Sequence, residues 1–286
     1  MSNIPEIIIQ NHLTLPVLGL GTWEMGGRQN ADKSEDEKWL HAIDFAIANG
    51  ITHIDTAAIY GAGHAEKLVG EVIKNHDRSK LFITTKVSGD TLQFNDVLRS
   101  AAASRKRLGI DQIDLFLLHW PNARVPLSQT MSAINKLLED GTIRYFGLSN
   151  FPVKLISEVA FYTDAPIITN QVEYNLFTRN KASYNQNIES EVIPYCHKKG
   201  ISITAWRPVL KGDANVLTHP MVQSLAEKYN KTAFQIALNW LISKPLMLAI
   251  PKMTSEAHIL ENIEAVKFKM EVKELLALDN ISETDA

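Results

Sequence analysis

Eight short apolar runs recur along the chain, each followed by a longer stretch with polar and apolar residues interleaved, and this rhythm narrows the possible folds more than any other feature. The runs are "VLGLGTW", "ITHIDTA", "LFITTKV", "IDLFLLHW", "IRYFGLSNF", "PIITNQVEY", "ISITAW" and "LMLAIPK". They are rich in β-branched residues and too short for buried helices, so they read as strands. The stretches between them carry helical spacing. In "SEDEKWLHAIDFAIANG", Trp39, Ile43 and Ala46 share one face and Gly50 stands at the C-terminal stop; in "HAEKLVGEVIKN", Leu68, Val69, Val72 and Ile73 do the same. Regular βα alternation predicts a parallel sheet, and eight such units can close into a (β/α)8 TIM barrel with no exposed sheet edge. The preceding "EIIIQNHLTLPVLG" reads as an N-terminal β-hairpin turning at Asn11 and His12 and plugging the barrel floor. No Pro/Ser-rich linker, low-complexity segment or further repeat interrupts the pattern, so residues 1–286 are expected to form one barrel domain.

Composition excludes several function classes. A net charge of -3 offers no electrostatic basis for binding nucleic acid or an anionic membrane. The single cysteine, Cys196, rules out an intrachain disulfide and a thiolate metal cluster, and the histidines show no ligand spacing, so no metal is expected. No apolar run is long enough to span a bilayer, and the N-terminal stretch lacks the basic start of a signal peptide. A cytoplasmic protein is the resulting expectation, and a monomer is expected because no exposed apolar helix face calls for a partner.

The last residues of the runs carry the functional signal. They are Thr22, Asp55, Lys86, His119, Ser149 with Asn150, Gln171, Trp206 and Lys252. Barrel active sites form at the C-terminal ends of the strands, so these polar groups would converge on one mouth although they are scattered through the sequence. Tyr60 stands just beyond Asp55. A free phenol has a pKa of about 10 and exchanges protons poorly near neutrality. An ammonium about 4 Å away could favour phenolate. On this reading Lys86 lowers the pKa of Tyr60, Asp55 holds Lys86 charged, and His119 donates a hydrogen bond to a carbonyl oxygen. His53 and Glu66 read as structural, and Cys196 as inert.

The segments "HIDTAAIYG…EKLVG", "TTKV", "LLHWP", "GLSNF" and "NQVEYN" resemble the aldo-keto reductase superfamily in order and spacing, from about Gly19 to Asn262. The resemblance implies an NAD(P)H-dependent oxidoreductase that reduces aldehydes and ketones, with a catalytic tetrad of Asp55, Tyr60, Lys86 and His119. Tyr60 would be the acid in reduction and the base in oxidation. No G-x-G-x-x-G stretch is present, which argues against a Rossmann domain. The cofactor would instead meet Gly21 and Thr22, with Ser149, Asn150 and Gln171 on its carboxamide and Trp206 in place of the usual stacking tyrosine. "WRPVLKGD" would pass over the pyrophosphate, Arg207 replacing the usual serine. In "IPKMTSEAHILEN", Thr254 or Ser255 caps a helix whose N-terminus, with Lys252, makes an anion site. The resemblance places the adenosine 2′-phosphate there and Glu261 and Asn262 on the adenine. Met253 and His258 stand where serine and arginine are common. These two departures weaken the grip on the 2′-phosphate, so NADPH is expected over NADH with less discrimination than an arginine would give. Trp23, Trp120 and Phe151 are expected to line the substrate mouth, and short loops imply an open site for varied aldehydes and dicarbonyls. Two other readings stay open: a Schiff-base lyase using Lys86, and a non-catalytic NADPH-sensing subunit.

Overall fold

In the computed structural model, which describes residues 4–181, 186–209 and 218–282, the eight apolar runs form parallel strands in chain order. They are β3 (Leu20–Gly21), β4 (His53–Asp55), β5 (Phe82–Val87), β6 (Ile113–Leu118), β7 (Ile143–Ser149), β8 (Ile167–Glu173), β9 (Ser202–Trp206) and β10 (Met247–Ala249). The first and last are joined by bridges between Leu18 and Ala249 and between Gly21 and Lys252. Gly19 N donates to the Ala249 carbonyl at 2.9 Å and Ala249 N to that of Val17 at 2.8 Å. These contacts close the sheet into the expected (β/α)8 barrel and pair its edges.

The strand period of two sorts the side chains between interior and helix layer. On β6, Leu115 and Leu117 pack with Ile168 and Leu248 in one cluster, whereas Phe116 and Leu118 join the large core shared with the helices. The small interior cluster is completed by Ile9, Leu13 and Leu15 of the N-terminal hairpin. That hairpin is β1 (Glu6–Ile8) paired antiparallel with β2 (Thr14–Pro16), turning through a short 3-10 segment at Gln10–His12, with His12 at φ 58. It packs aliphatic side chains across the barrel floor.

The helices follow the predicted faces. Helix α1 (Asp36–Ala48) buries Trp39, Ala42, Ile43 and Ala46, and Gly50 follows it in the left-handed region at φ 98. Helix α2 (His64–Ile73) buries Leu68, Val69, Val72 and Ile73. Glu66 on α2 is fully buried, accepting from Thr85 Oγ1 at 2.5 Å and from Arg107 Nε at 2.6 Å. It ties helix to barrel and is structural, as expected. Cys196 is buried, and burial pushes its thiol up to about 12. No described helix is long and apolar enough to cross a membrane. Among the described residues no group of three or more His, Cys, Asp or Glu side chains could hold a metal ion.

His53 points a buried ring toward β5, 3.0 Å from Thr84 Oγ1, and burial pulls its pKa from 6.5 to about 4. The unfolded chain therefore binds a proton near pH 6.5 that the folded chain refuses until about pH 4. The cost of keeping this ring neutral is absent above pH 6.5 and grows as pH falls to 4, reaching about 3 kcal/mol in total. His53→Gln is accordingly expected to flatten the loss of stability across that window, read from urea unfolding at a series of pH values. An unchanged acid limb would show that His53 does not contribute to it.

Candidate active site

Three strand ends and one loop bring the ionisable cluster together. Asp55 closes β4, Lys86 lies near the end of β5, and His119 follows β6, all three buried. Tyr60 begins a short turn over Tyr60–Gly63 that leads into α2. The turn depends on glycine: Gly61 has φ 55, and its N donates to the Arg28 carbonyl at 2.8 Å. A Cβ there would lie 2.3 Å from the Gly26 carbonyl oxygen, so a side chain would push the loop off its anchor. Gly21 at the rim has the same constraint, since an added Cβ would meet the Ile250 carbonyl oxygen at 2.6 Å.

The polar contacts form one chain. Lys86 Nζ donates to Asp55 Oδ1 and, at 2.8 Å, to the Thr56 carbonyl. Asp55 Oδ2 accepts from Gln171 Nε2 at 2.7 Å. Tyr60 stands against this group, its ring centroid 5.2 Å from Lys86 Nζ, 5.7 Å from the His119 ring and 4.8 Å from Trp23. Burial first, and the Asp55 carboxylate second, hold the phenol well above its ordinary range. The net direction is opposite to the sequence-based expectation that Lys86 lowers the pKa of Tyr60: burial and Asp55 outweigh the ammonium. The ammonium is committed to Asp55 and the Thr56 carbonyl, and its own pKa is lowered by burial against the opposing charge and hydrogen bond of Asp55. The resting phenol is therefore protonated. Burial, then the Lys86 charge, hold His119 well below its usual range, so its ring is neutral. Its Nδ1 is buried with no hydrogen-bond partner, leaving the tautomer unfixed by the protein.

Asp55, Tyr60 and His119 face a cavity of about 770 Å³ that runs from Tyr60 and His119 across the barrel mouth to His258 and Asn262. Gly21, Trp23, Asp55, Trp120, Ser149, Asn150, Gln171, Trp206, Lys252, Thr254 and Glu261 also line it. At the inner end, Asn150 Nδ2 donates to the His119 carbonyl at 3.1 Å and to Ser149 Oγ at 3.0 Å, while its Oδ1 accepts from Trp206 Nε1 at 3.2 Å. The indole plane is thus held by an amide. Arg207, which replaces the expected serine, donates to Glu173 at 2.9 Å and lies 4.9 Å from the Trp206 ring centroid. Residues 210–213 of the "WRPVLKGD" segment lie outside the described residues.

At the outer end, helix α9 (Glu256–Ala265; the described α-helices between α2 and it are α3 Phe94–Leu108, α4 Leu127–Glu139, α5 Val153–Val159, α6 Ile193–Lys198, α7 Pro220–Tyr229 and α8 Ala233–Ile242) points its N-terminus at the cavity. Ser255 rather than Thr254 is the cap, accepting from His258 N at 3.3 Å. Thr254 Oγ1 instead lies 3.2 Å from His258 Nδ1. Met253 is fully buried.

Two sequence assignments are corrected. Phe151 does not line the mouth: Asn170 holds both its backbone N, at 3.3 Å, and its carbonyl, at 2.9 Å, and the ring is buried in the main core. Thr22 is also fully buried and absent from the cavity wall, because its Oγ1 donates to the Asp55 carbonyl at 3.0 Å and so positions the β4 end instead. Glu24, Arg28, Ile59 and Phe234 are further wall residues that the strand-end pattern does not point to. The Arg207–Glu173 pair could have been found from register, since Glu173 is opposite Trp206 between β8 and β9. The other wall residues carry no signal of their own.

The Aldo/keto reductase family matches residues 17–283. The chain belongs to the aldo/keto reductase family. This aldo/keto reductase is 32% identical over 271 residues to the methylglyoxal reductase of Escherichia coli, spanning 93% of this chain and 91% of that one. It is 31% identical over 279 residues to the glyoxal reductase of Bacillus subtilis, spanning 97% and 92%. Among solved structures it resembles a thermostable aldo-keto reductase in complex with the inhibitor epalrestat, at 36% identity and a TM-score of 0.90 over 96% of this chain and 98% of that one. An aldo/keto reductase from Klebsiella pneumoniae in complex with NADP and acetate is similar at 30% identity and a TM-score of 0.86, covering 96% and 94%.

Proposed function

We propose that this aldo/keto reductase reduces small reactive carbonyl compounds, aldehydes and dicarbonyls, to alcohols with NADPH, and that Asp55, Tyr60, Lys86 and His119 carry the chemistry. The observation that carries this reading is the meeting of a protonated buried phenol, a buried ammonium–carboxylate pair and a neutral imidazole at the inner end of one elongated cavity. The donor set fits a dinucleotide. Amide groups of Asn150 and Gln171 and the Trp206 ring line one end, and Lys252, Thr254 and a helix N-terminus line the other. A cavity of about 770 Å³ is within the usual range for such ligands.

When bound there, NADPH would supply the hydride that the carbonyl carbon takes up. His119 holds the carbonyl oxygen with a ring N–H, whose tautomer the substrate itself selects because no protein group does. Tyr60 donates its phenolic proton to that oxygen. Its raised pKa suits this direction, since an alkoxide is far more basic than a phenolate. Lys86, held by Asp55, then stabilises the phenolate left behind. Gln171, by donating to Asp55, orients the carboxylate that holds Lys86.

The substrate end is walled by Trp23, Ile59 and Trp120, and no described residue beyond Asn262 roofs the cavity. This supports a permissive pocket and, with the methylglyoxal and glyoxal reductases among the relatives, a dicarbonyl substrate class. The Schiff-base alternative is poorly supported: Lys86 is fully buried, paired, and absent from the cavity wall, so a substrate carbonyl has no path to it. The complete tetrad argues against a purely cofactor-sensing role. A cytoplasmic monomer is the matching cellular reading, its compartment supported by a single, buried cysteine; sedimentation of the pure protein tests the assembly state.

A panel of carbonyl compounds assayed by absorbance with NADPH and with NADH tests the whole reading. The expected result is turnover of methylglyoxal, glyoxal and simple aromatic aldehydes, faster with NADPH. Strict preference for one bulky ketone would overturn the permissive pocket, and absence of turnover with every carbonyl would overturn the reductase.

A further inference from the structure

Glu24 places an anion at the outer, phosphate-binding end of the cavity. It follows Trp23 on the loop after β3, and this loop is firmly held: Met25 N donates to the Thr22 carbonyl at 3.0 Å, Asp32 N to that of Gly26 at 2.9 Å, and Glu24 itself bridges Gly27. Glu24 adopts φ 69, a backbone conformation costly for a residue with a side chain. Its carboxylate reaches two cations at once. Oε2 lies 2.7 Å from Lys252 Nζ and Oε1 lies 2.8 Å from Arg28 Nη2, and all three side chains line the cavity. The Lys252 and Glu24 side chains are only 33% and 21% exposed, so their attraction is less screened than that of a surface pair.

We infer that Glu24 is a cofactor-selectivity residue: its carboxylate holds Lys252 in the free enzyme, and a 2′-phosphate gains that lysine only by displacing it. The inference rests on the proposal that the cavity binds a nicotinamide dinucleotide with its phosphate near Lys252. A lysine ammonium is a single point charge, and a carboxylate and a phosphate compete for it as like-charged acceptors. NADH carries no 2′-phosphate and leaves the Glu24–Lys252 pair intact, whereas NADPH must break it and then tolerate a neighbouring negative charge. Glu24 thus reduces the preference for NADPH that the anion site would otherwise confer.

Binding titrations of NADPH and NADH followed by protein fluorescence, on the wild type, Glu24→Gln, Lys252→Met and the double variant, test this without turnover. Glu24→Gln is expected to tighten NADPH about tenfold and NADH by less than about twofold, the size expected for removing competition from a partly buried ion pair. In the Lys252→Met background, Glu24→Gln is expected to give no such gain. Glu24→Asp, which keeps the charge but shortens its reach to Lys252, shifts the NADPH-to-NADH ratio the same way by a smaller factor and guards against a misfolded glutamine variant. An unchanged ratio in Glu24→Gln, an equal gain for both cofactors, or weaker NADPH binding would each overturn the inference. A wild type that binds neither dinucleotide would instead overturn the functional reading on which it rests.

Discussion

Tyr60→Phe is expected to lower kcat for aldehyde reduction by about 10²–10⁴-fold while leaving the dissociation constant for NADPH within about twofold, because only the transferable proton is removed. The ring contacts with Trp23, with the His119 ring and with Lys86 survive the change, so the protein should fold and melt as before. The pH dependence sharpens the test. The phenol is held well above its ordinary range by burial and by Asp55, so it stays protonated throughout the neutral region and reduction should be nearly independent of pH there. Alcohol oxidation needs the deprotonated form and should rise about tenfold per pH unit below that pKa. Steady-state rates in both directions, with stopped-flow cofactor binding, check these outcomes together. A phenylalanine variant that keeps substantial turnover, or an oxidation rate flat with pH, would remove Tyr60 from the proton transfer.

Asp55→Asn is expected to have the largest effect on stability. Lys86 is fully buried, and its ammonium is held by the Asp55 carboxylate and the Thr56 carbonyl. Neutralising Asp55 leaves that charge uncompensated in a low-dielectric site, which costs about 3–5 kcal/mol for a buried pair broken on one side. Gln171 Nε2 also loses the charged acceptor it now holds at 2.7 Å. Urea unfolding should show the midpoint falling with little change in slope, and reduction should fail along with it. The paired change Asp55→Asn with Lys86→Met distinguishes energetics from chemistry. Removing both charges relieves the desolvation penalty, so much of the lost stability should return while activity does not. A double variant as unstable as the single would show that Asp55 serves the fold by another route, and an active one would exclude the ion pair from catalysis.

Much of the site was legible in the sequence because barrel topology converts strand ends into neighbours. Asp55, Lys86 and His119 each end an apolar run, and parallel pairing in chain order leaves them nowhere else to meet. The hairpin floor and the faces of α1 and α2 were legible for a similar reason, since alternation and helical spacing are local properties. Phe151 and Thr22 were misread because position at a strand end does not say which way a side chain turns. Asn170 clamps the backbone of the first, and the Asp55 carbonyl claims the hydroxyl of the second. The pKa of Tyr60 was misjudged in sign for a related reason. Proximity of Lys86 was inferred, but how far its charge was already spent on Asp55 depends on angstrom-scale geometry.

The sequence by itself determined the barrel, its hairpin floor and which four ionisable side chains meet at its mouth, because periodicity and chain order specify which elements pair and which ends face one way. Only the tertiary structure decided how charge is distributed in the mouth: that Lys86 belongs to Asp55, that Gln171 steadies the same carboxylate, and that Glu24 reaches Lys252 across 228 positions of sequence. Electrostatic energies vary with distance and burial over a few angstroms, and the chain's order of residues holds no record of either until it is folded.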